Sequence, residues 1–148
     1  MSELTRCFDQ IFVINLPSRR DRYEEMGEQL RRVGLGWDSP KVTHFPAFRP
    51  ADDGGFRSIG AHGCFRSHLG VIEQAIADGL DSILILEDDC NLSDEFNARM
   101  RAVKKAYDPG NLFFVVALWA GLEERARGGS LPPEDARELL RVRQATTD

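Results

Sequence analysis

Four short runs rich in β-branched and other apolar residues alternate with segments whose apolar residues recur every three or four positions. The runs are QIFVINL from Gln10, VTHFPAF from Val42, SILIL from Ser82 and LFFVVAL from Leu112. Runs separated by helix-length polar segments cannot pair through tight hairpins. They need crossover connections, so the pattern predicts a layered, largely parallel α/β sheet with helices on both faces.

The intervening segments read as helices. SRRDRYEEMGEQLRRVGL places Tyr23, Met26, Leu30 and Val33 at helical spacing. From Ala61, the residues Phe65, His68, Leu69, Ile72, Ala75 and Ile76 continue such a stripe, and Gly79 is expected near the C-cap. RPADDGGFRSIG between them has the composition of a loop. Ser93 is expected to cap a helix through DEFNARMRAVKKAY; DPGN marks a turn, and a last helix is expected after LPP, running to about Arg143.

At 148 residues the chain is expected to form one domain, residues 1–148, around one core. A net charge of −5 gives no footprint for nucleic acid, although a small phosphorylated ligand needs only a local basic patch. Cys7, Cys64 and Cys90 are odd in number and widely spaced, so they read as small core hydrophobes in a reducing compartment. No apolar run reaches the roughly 20 residues of a membrane helix, and no charged-then-apolar signal segment opens the chain. The expected location is cytoplasmic.

The third run ends in Glu87, Asp88 and Asp89, with no basic residue between or directly beside them. If strand geometry persists, Glu87 and Asp89 share one side and Asp88 takes the other. Carboxylates that close repel unless a proton or a cation intervenes. A hard divalent ion, Mn²⁺ or Mg²⁺, answers that need, completing its shell with water and phosphate oxygens. The bland reading, a solvated strand end that starts the next turn, weighs about the same from this cluster alone.

Two further stretches bear on the choice. VINLPSRRDR resembles the opening signature of glycosyltransferase family 25, the lipopolysaccharide and collagen galactosyltransferase-like enzymes, at Asn15, Leu16, Arg19, Asp21 and Arg22. GAHGCFRSHLGVIEQAIADGLDSILILEDDC is similar to that family's central block at Gly60, Ala61, Gly63, Cys64, Ser67, His68, Glu87, Asp88 and Asp89. The likeness runs from about Ile11 to Leu92 and implies a GT-A-type, Rossmann-like fold, truncated if the acceptor half is missing. It also implies that Glu87, Asp88 and Asp89 stand where related transferases carry an Asp-x-Asp metal motif, with Asp89 the first expected metal contact.

The resemblance further implies donor-binding roles for Asn15, Leu16, Arg19, Arg22, Gly60, Gly63, Ser67 and His68, and each has a structural alternative. Asn15 either meets the nucleotide or ties down a turn. Arg19 and Arg22 either bind diphosphate or base, or pair with Asp21, Glu25 or solvent, with function favoured for Arg19 only. Gly60 and Gly63 either let backbone approach a ligand or allow tight helix packing. His68 is either a substrate contact or a satisfied core histidine; Ser67 either contacts donor or bonds its preceding turn; Cys64 reads as packing.

The segment from Leu112 to Asp148 shows no such likeness, so the chain is expected to be truncated, divergent or degenerate, and no general base can be named. Asp52, Asp53, Glu123 and Glu124 read as surface. The expected partners are a UDP-sugar donor and a glycan or lipopolysaccharide acceptor, with room for peripheral membrane contact. The leading function is transfer of a hexose, galactose first, from UDP-sugar; the second is a non-catalytic nucleotide-sugar-binding or interaction protein. A phosphorylation receiver is disfavoured, because its acidic pair follows the first strand.

Overall fold

The computed structural model describes residues 2–107 and 114–117. Its elements are α1 (Leu4–Cys7), β1 (Gln10–Asn15), α2 (Arg20–Arg32), β2 (Val42–Pro46), α3 (Ile59–Ala77), β3 (Ser82–Glu87), α4 (Phe96–Tyr107) and β4 (Phe114–Ala117). The four strands form one parallel sheet in the order β2-β1-β3-β4. The α/β alternation read from the sequence therefore holds. The DPGN turn and the last expected helix lie outside the described residues.

Side-chain alternation on the central strands divides the core. Ile11, Val13, Leu84 and Leu86 face one way and pack with Met26 and Leu30 of α2 and with Phe96 and Met100 of α4. Phe12, Ile14, Ile83 and Ile85 face the other way, against Val71 and Ala75 of α3. All eight strand residues are buried, seven of them to within 1% of full burial or completely, and each such side chain contributes about 1.5–3 kcal/mol of transfer free energy. Helices thus cover both faces, as a Rossmann-like layer requires.

The helix ends follow local chemistry. Ser58 Oγ accepts from Ala61 N at 3.0 Å and caps α3, which begins two residues before the expected Ala61. At its other end Gly79 has φ +66°, with Gly79 N donating to Ile76 O and Leu80 N to Ala75 O, the paired bonds of a Schellman stop. Gly34, at φ +76°, ends α2 by the same pattern. Helix α4 starts at Phe96, whose N–H meets the Ser93 carbonyl. The four-residue α1 was not legible, since one turn carries no periodicity, yet Leu4 and Phe8 beside it are buried.

One expectation about α3 is reversed. The large apolar residues Phe65, Leu69 and Ile76 lie on its solvent side, and the face against the protein is Gly63, Ser67, Val71 and Ala75. Close approach is the reason. A Cβ on Gly63 would sit 2.7 Å from Phe48 O, and one on Gly70 would sit 3.0 Å from Phe45 Cζ, so only small residues fit there. Among the described residues no helix is long and apolar enough to cross a membrane.

Candidate functional site

The connection leaving β1 runs to β2 on one side, while β3 and β4 lie on the other, so the carboxyl ends of β1 and β3 flank the point where the strand order reverses. Loops diverge at such a point and open a crevice. A cleft of about 600 Å³ lies there. Its floor and α2 side carry Ile14, Leu16, Arg19, Arg22 and Asp88; its α3 side carries Gly60, Gly63, Cys64, Ser67, His68 and Glu87; Phe48, Arg49 and Pro50 close the rim. Of the residues expected to bind donor or metal, Asn15 and Asp89 do not line the cleft.

Asn15 lies beneath it, 2% exposed. Its Nδ2 donates to Asp88 Oδ2 at 2.7 Å and to the Arg19 carbonyl at 3.2 Å, while Oδ1 is 3.1 Å from His44 Nε2. A single buried amide therefore joins β2, the turn before α2 and the acidic strand end. Of its two readings, the geometry gives the tie-down. Burial lowers the His44 pKa below its ordinary value, against a weaker opposing pull from Asp88. His44 itself is held edge-on to Tyr23 and Trp37, which stack at 4.2 Å.

The acidic triplet does not continue as a strand. Asp88 N still bonds Ile14 O, but Cys90 N turns back to Glu87 O, and β3 ends at Glu87. Strict alternation beyond Glu87 is thus lost. Glu87 follows Ile83 and Ile85 to the α3 face, where its Oε1 is 3.5 Å from both His68 Nε2 and Cys64 Sγ. Asp88 and Asp89 turn instead toward α2: Arg22 Nη1 is 3.8 Å from Asp88 Oδ1 and 3.7 Å from Asp89 Oδ2. The cation missing from the local sequence is supplied in space by α2.

Arg19 forms a fork with its near neighbour Asp21, Nη2 to Oδ2 at 2.7 Å and Nε to Oδ1 at 2.9 Å, with both side chains about half exposed. That bond holds the Asp21 carboxyl at about 2, below its usual range. Ser67 Oγ donates to Gly63 O at 2.7 Å and accepts from Phe48 N at 2.8 Å. Together with the close passage at Gly63, this fastens the rim loop to α3. A Cβ on Gly60 would meet only Ser58 Oγ, at 3.8 Å, and Leu16 adds apolar floor.

His68 is not a core histidine, because its imidazole faces the cleft wall and Glu87. Cys64 corrects the packing expectation. The residue is exposed, whereas Cys90 is buried and Cys7 half-buried on the opposite side of the sheet. The Cys64 sulfur points inward, and desolvation first, Glu87 second, push the thiol up to about 12. Sequence reasoning also missed His44, whose only signal was its position in the strand register opposite Val13, two residues before Asn15.

A model of glycosyltransferase family 25, described as a lipopolysaccharide biosynthesis protein, matches residues 8–123. The chain belongs to glycosyltransferase family 25. Among curated relatives, human "inactive glycosyltransferase 25 family member 3" is 30% identical over 109 residues, which cover 63% of this chain and 18% of that protein. Mouse "procollagen galactosyltransferase 2" is 27% identical over 124 residues, 71% of this chain and 19% of that protein. The chain thus spans about a fifth of the length of these relatives. No solved structure matches it significantly.

Proposed function

We propose that this family 25 chain binds a UDP-sugar in the cleft between β1, β3 and α3, as the donor side of a metal-assisted hexosyl transfer. The observation that carries the reading is the convergence of Asp88 and Asp89 on one point beside the cleft, where a cationic nitrogen already stands 3.8 and 3.7 Å from their oxygens. An all-oxygen pair of this kind suits Mn²⁺ or Mg²⁺, which binds through one or two carboxylates and fills its shell with water and phosphate oxygens. The residues present therefore fit the ion. When bound, it would offset charge on the diphosphate leaving group.

The chain's own groups supply the rest of donor binding. Asn15 fixes the Asp88 carboxylate through one oxygen and leaves the other turned toward Arg22. Arg22 and Arg19 line the α2 side of the cleft, where guanidinium groups can pair with phosphate oxygens. The rim loop held by Ser67 bounds the side opposite. The sugar we propose is a hexose, galactose first, in keeping with the name of the mouse relative, and the acceptor a glycan or lipopolysaccharide.

A second reading, donor binding without transfer, is favoured by two observations. The human relative is named inactive. Among the described residues the acids lining the cleft are Glu87 and Asp88, and both are already engaged, by His68 and Cys64 and by Asn15. An inverting transfer needs a free base to take the acceptor proton. Incubating the chain with UDP-galactose, Mn²⁺ and a panel of glycan acceptors separates the readings. We expect donor binding with little or no transfer; robust metal-dependent galactosylation would establish the full transferase instead.

A further inference from the structure

We propose that Cys64, His68 and Glu87 form a second metal site on the α3 wall of the cleft, a thiolate, imidazole and carboxylate set suited to Zn²⁺. It is separate from the oxygen pair at Asp88 and Asp89 and does not depend on the donor reading. Cys64 and His68 stand one helical turn apart on α3, and Glu87 reaches them from the end of β3. The three donor atoms lie within 4.8 Å of one another, and Glu87 Oε1 is 3.5 Å from both the sulfur and the imidazole Nε2. A tetrahedral zinc ion with bonds of about 2.3 Å to sulfur and about 2.0 Å to nitrogen and oxygen holds its ligand atoms roughly 3.3–3.6 Å apart. Two edges of that tetrahedron are already formed, and the third, between sulfur and imidazole nitrogen, is left to a χ adjustment of the two helix side chains.

The imidazole is set for the role. His68 Nδ1 is 2.9 Å from the Cys64 carbonyl, which can only accept, so Nδ1 carries a proton and Nε2 is left to face Glu87. Nε2 and Oε1 then oppose each other at 3.5 Å, a gap that either a proton or a metal ion fills. A backbone carbonyl holding the second ring nitrogen is the usual support of a metal-bound histidine. Sulfur and nitrogen donors select a borderline ion such as zinc over Mg²⁺ or Mn²⁺. Three protein ligands would leave the fourth position open, on a wall that lines the cleft.

The test uses the full chain, freed of metal and titrated with Zn²⁺ and, for its spectrum, with Co²⁺. About one equivalent of zinc is expected, together with a cobalt–thiolate charge-transfer band in the near ultraviolet. Cys64→Ser should abolish the band; the other two thiols lie on the opposite side of the sheet and cannot replace it. His68→Ala and Glu87→Gln should each weaken zinc binding by at least about 10-fold. Asp89→Ala should keep both the stoichiometry and the band. Circular dichroism checks the fold, and should His68→Ala unfold, the cobalt spectrum of Cys64→Ser decides, since Cys64 belongs to neither core cluster. Failure to bind stoichiometric zinc, a band that survives Cys64→Ser, or zinc lost from Asp89→Ala but kept by Cys64→Ser would overturn the proposal. UDP affinity unchanged by Asp89→Ala in Mn²⁺ would refute the donor reading alone and leave the zinc result standing.

Discussion

Replacing Asn15 by Ala and by Asp probes how the acidic strand end is held. Asn15→Ala removes one charge-assisted hydrogen bond, to Asp88, worth about 1.5–3 kcal/mol, and two weaker contacts, to Arg19 O and His44, of about 1 kcal/mol each. Asp88 keeps 19% of its side chain exposed and regains some hydration, so the expected loss is at the lower end, about 3 kcal/mol. Asn15→Asp keeps the shape but places two carboxylates 2.7 Å apart. If both stayed ionised, their repulsion at an effective dielectric constant of about 20 would be about 6 kcal/mol. Taking up one proton at about pH 7, from an ordinary pKa near 3.9, costs about 4 kcal/mol and is the lower-energy route. The folded pKa of that carboxyl is therefore raised above its unfolded value. Its penalty grows as pH rises above about 4, by about 1.4 kcal/mol per pH unit, and is relieved as pH falls back. Urea unfolding of the three proteins across this range reads both effects. An Asn15→Asp penalty that stays flat with pH, or an Asn15→Ala loss under about 1 kcal/mol, would refute the tie-down of Asp88 by Asn15.

Gly63→Ala forces a Cβ toward Phe48 O, where it would lie at 2.7 Å, so it should destabilise the fold by about 1–3 kcal/mol in urea unfolding; an unchanged midpoint would contradict the close packing of α3. The His44 pKa is lowered on folding, so the stability this ring supports is complete above its unfolded value of 6.5 and is lost as pH falls below it. His44→Gln should flatten that part of the stability profile, measured by thermal melts in buffers spanning the window. Arg19→Gln should let Asp21 titrate near its ordinary value of 3.8 instead of about 2, as followed by NMR of the carboxyl carbon; no movement would show that the fork is not what holds it.

Strand identity was legible because short apolar runs bounded by turns leave few alternatives, and VTHFPAF survives as an edge strand despite Pro46, as edge strands tolerate. Helix position was also legible, but the buried face of α3 was not. Hydrophobic spacing pointed to Phe65, Leu69 and Ile76, whereas steric approach selected Gly63, Ser67 and Ala75, and sequence periodicity weighs hydrophobicity without seeing distance. The same limit applies to the acidic cluster. Its three members were visible as neighbours in the chain, but the turn after Glu87 sends them to different helices. Cys64 and His68 carried a visible signal, a four-residue spacing on a helix, whose meaning depended on Glu87 arriving from the end of β3.

The role proposed for Asp88 and Asp89, beside the β1–β3 cleft, is to hold a divalent ion for a nucleoside diphosphate. Calorimetric titration of UDP into the protein and into Asp89→Ala, each with and without Mn²⁺, tests it most directly. Asp89 is 62% exposed and near a like charge, so its removal should leave the fold intact while relieving repulsion. Mn²⁺-dependent UDP binding is expected of the parent protein, with loss of that dependence in Asp89→Ala. Equal UDP affinity for the two proteins in Mn²⁺ would contradict it.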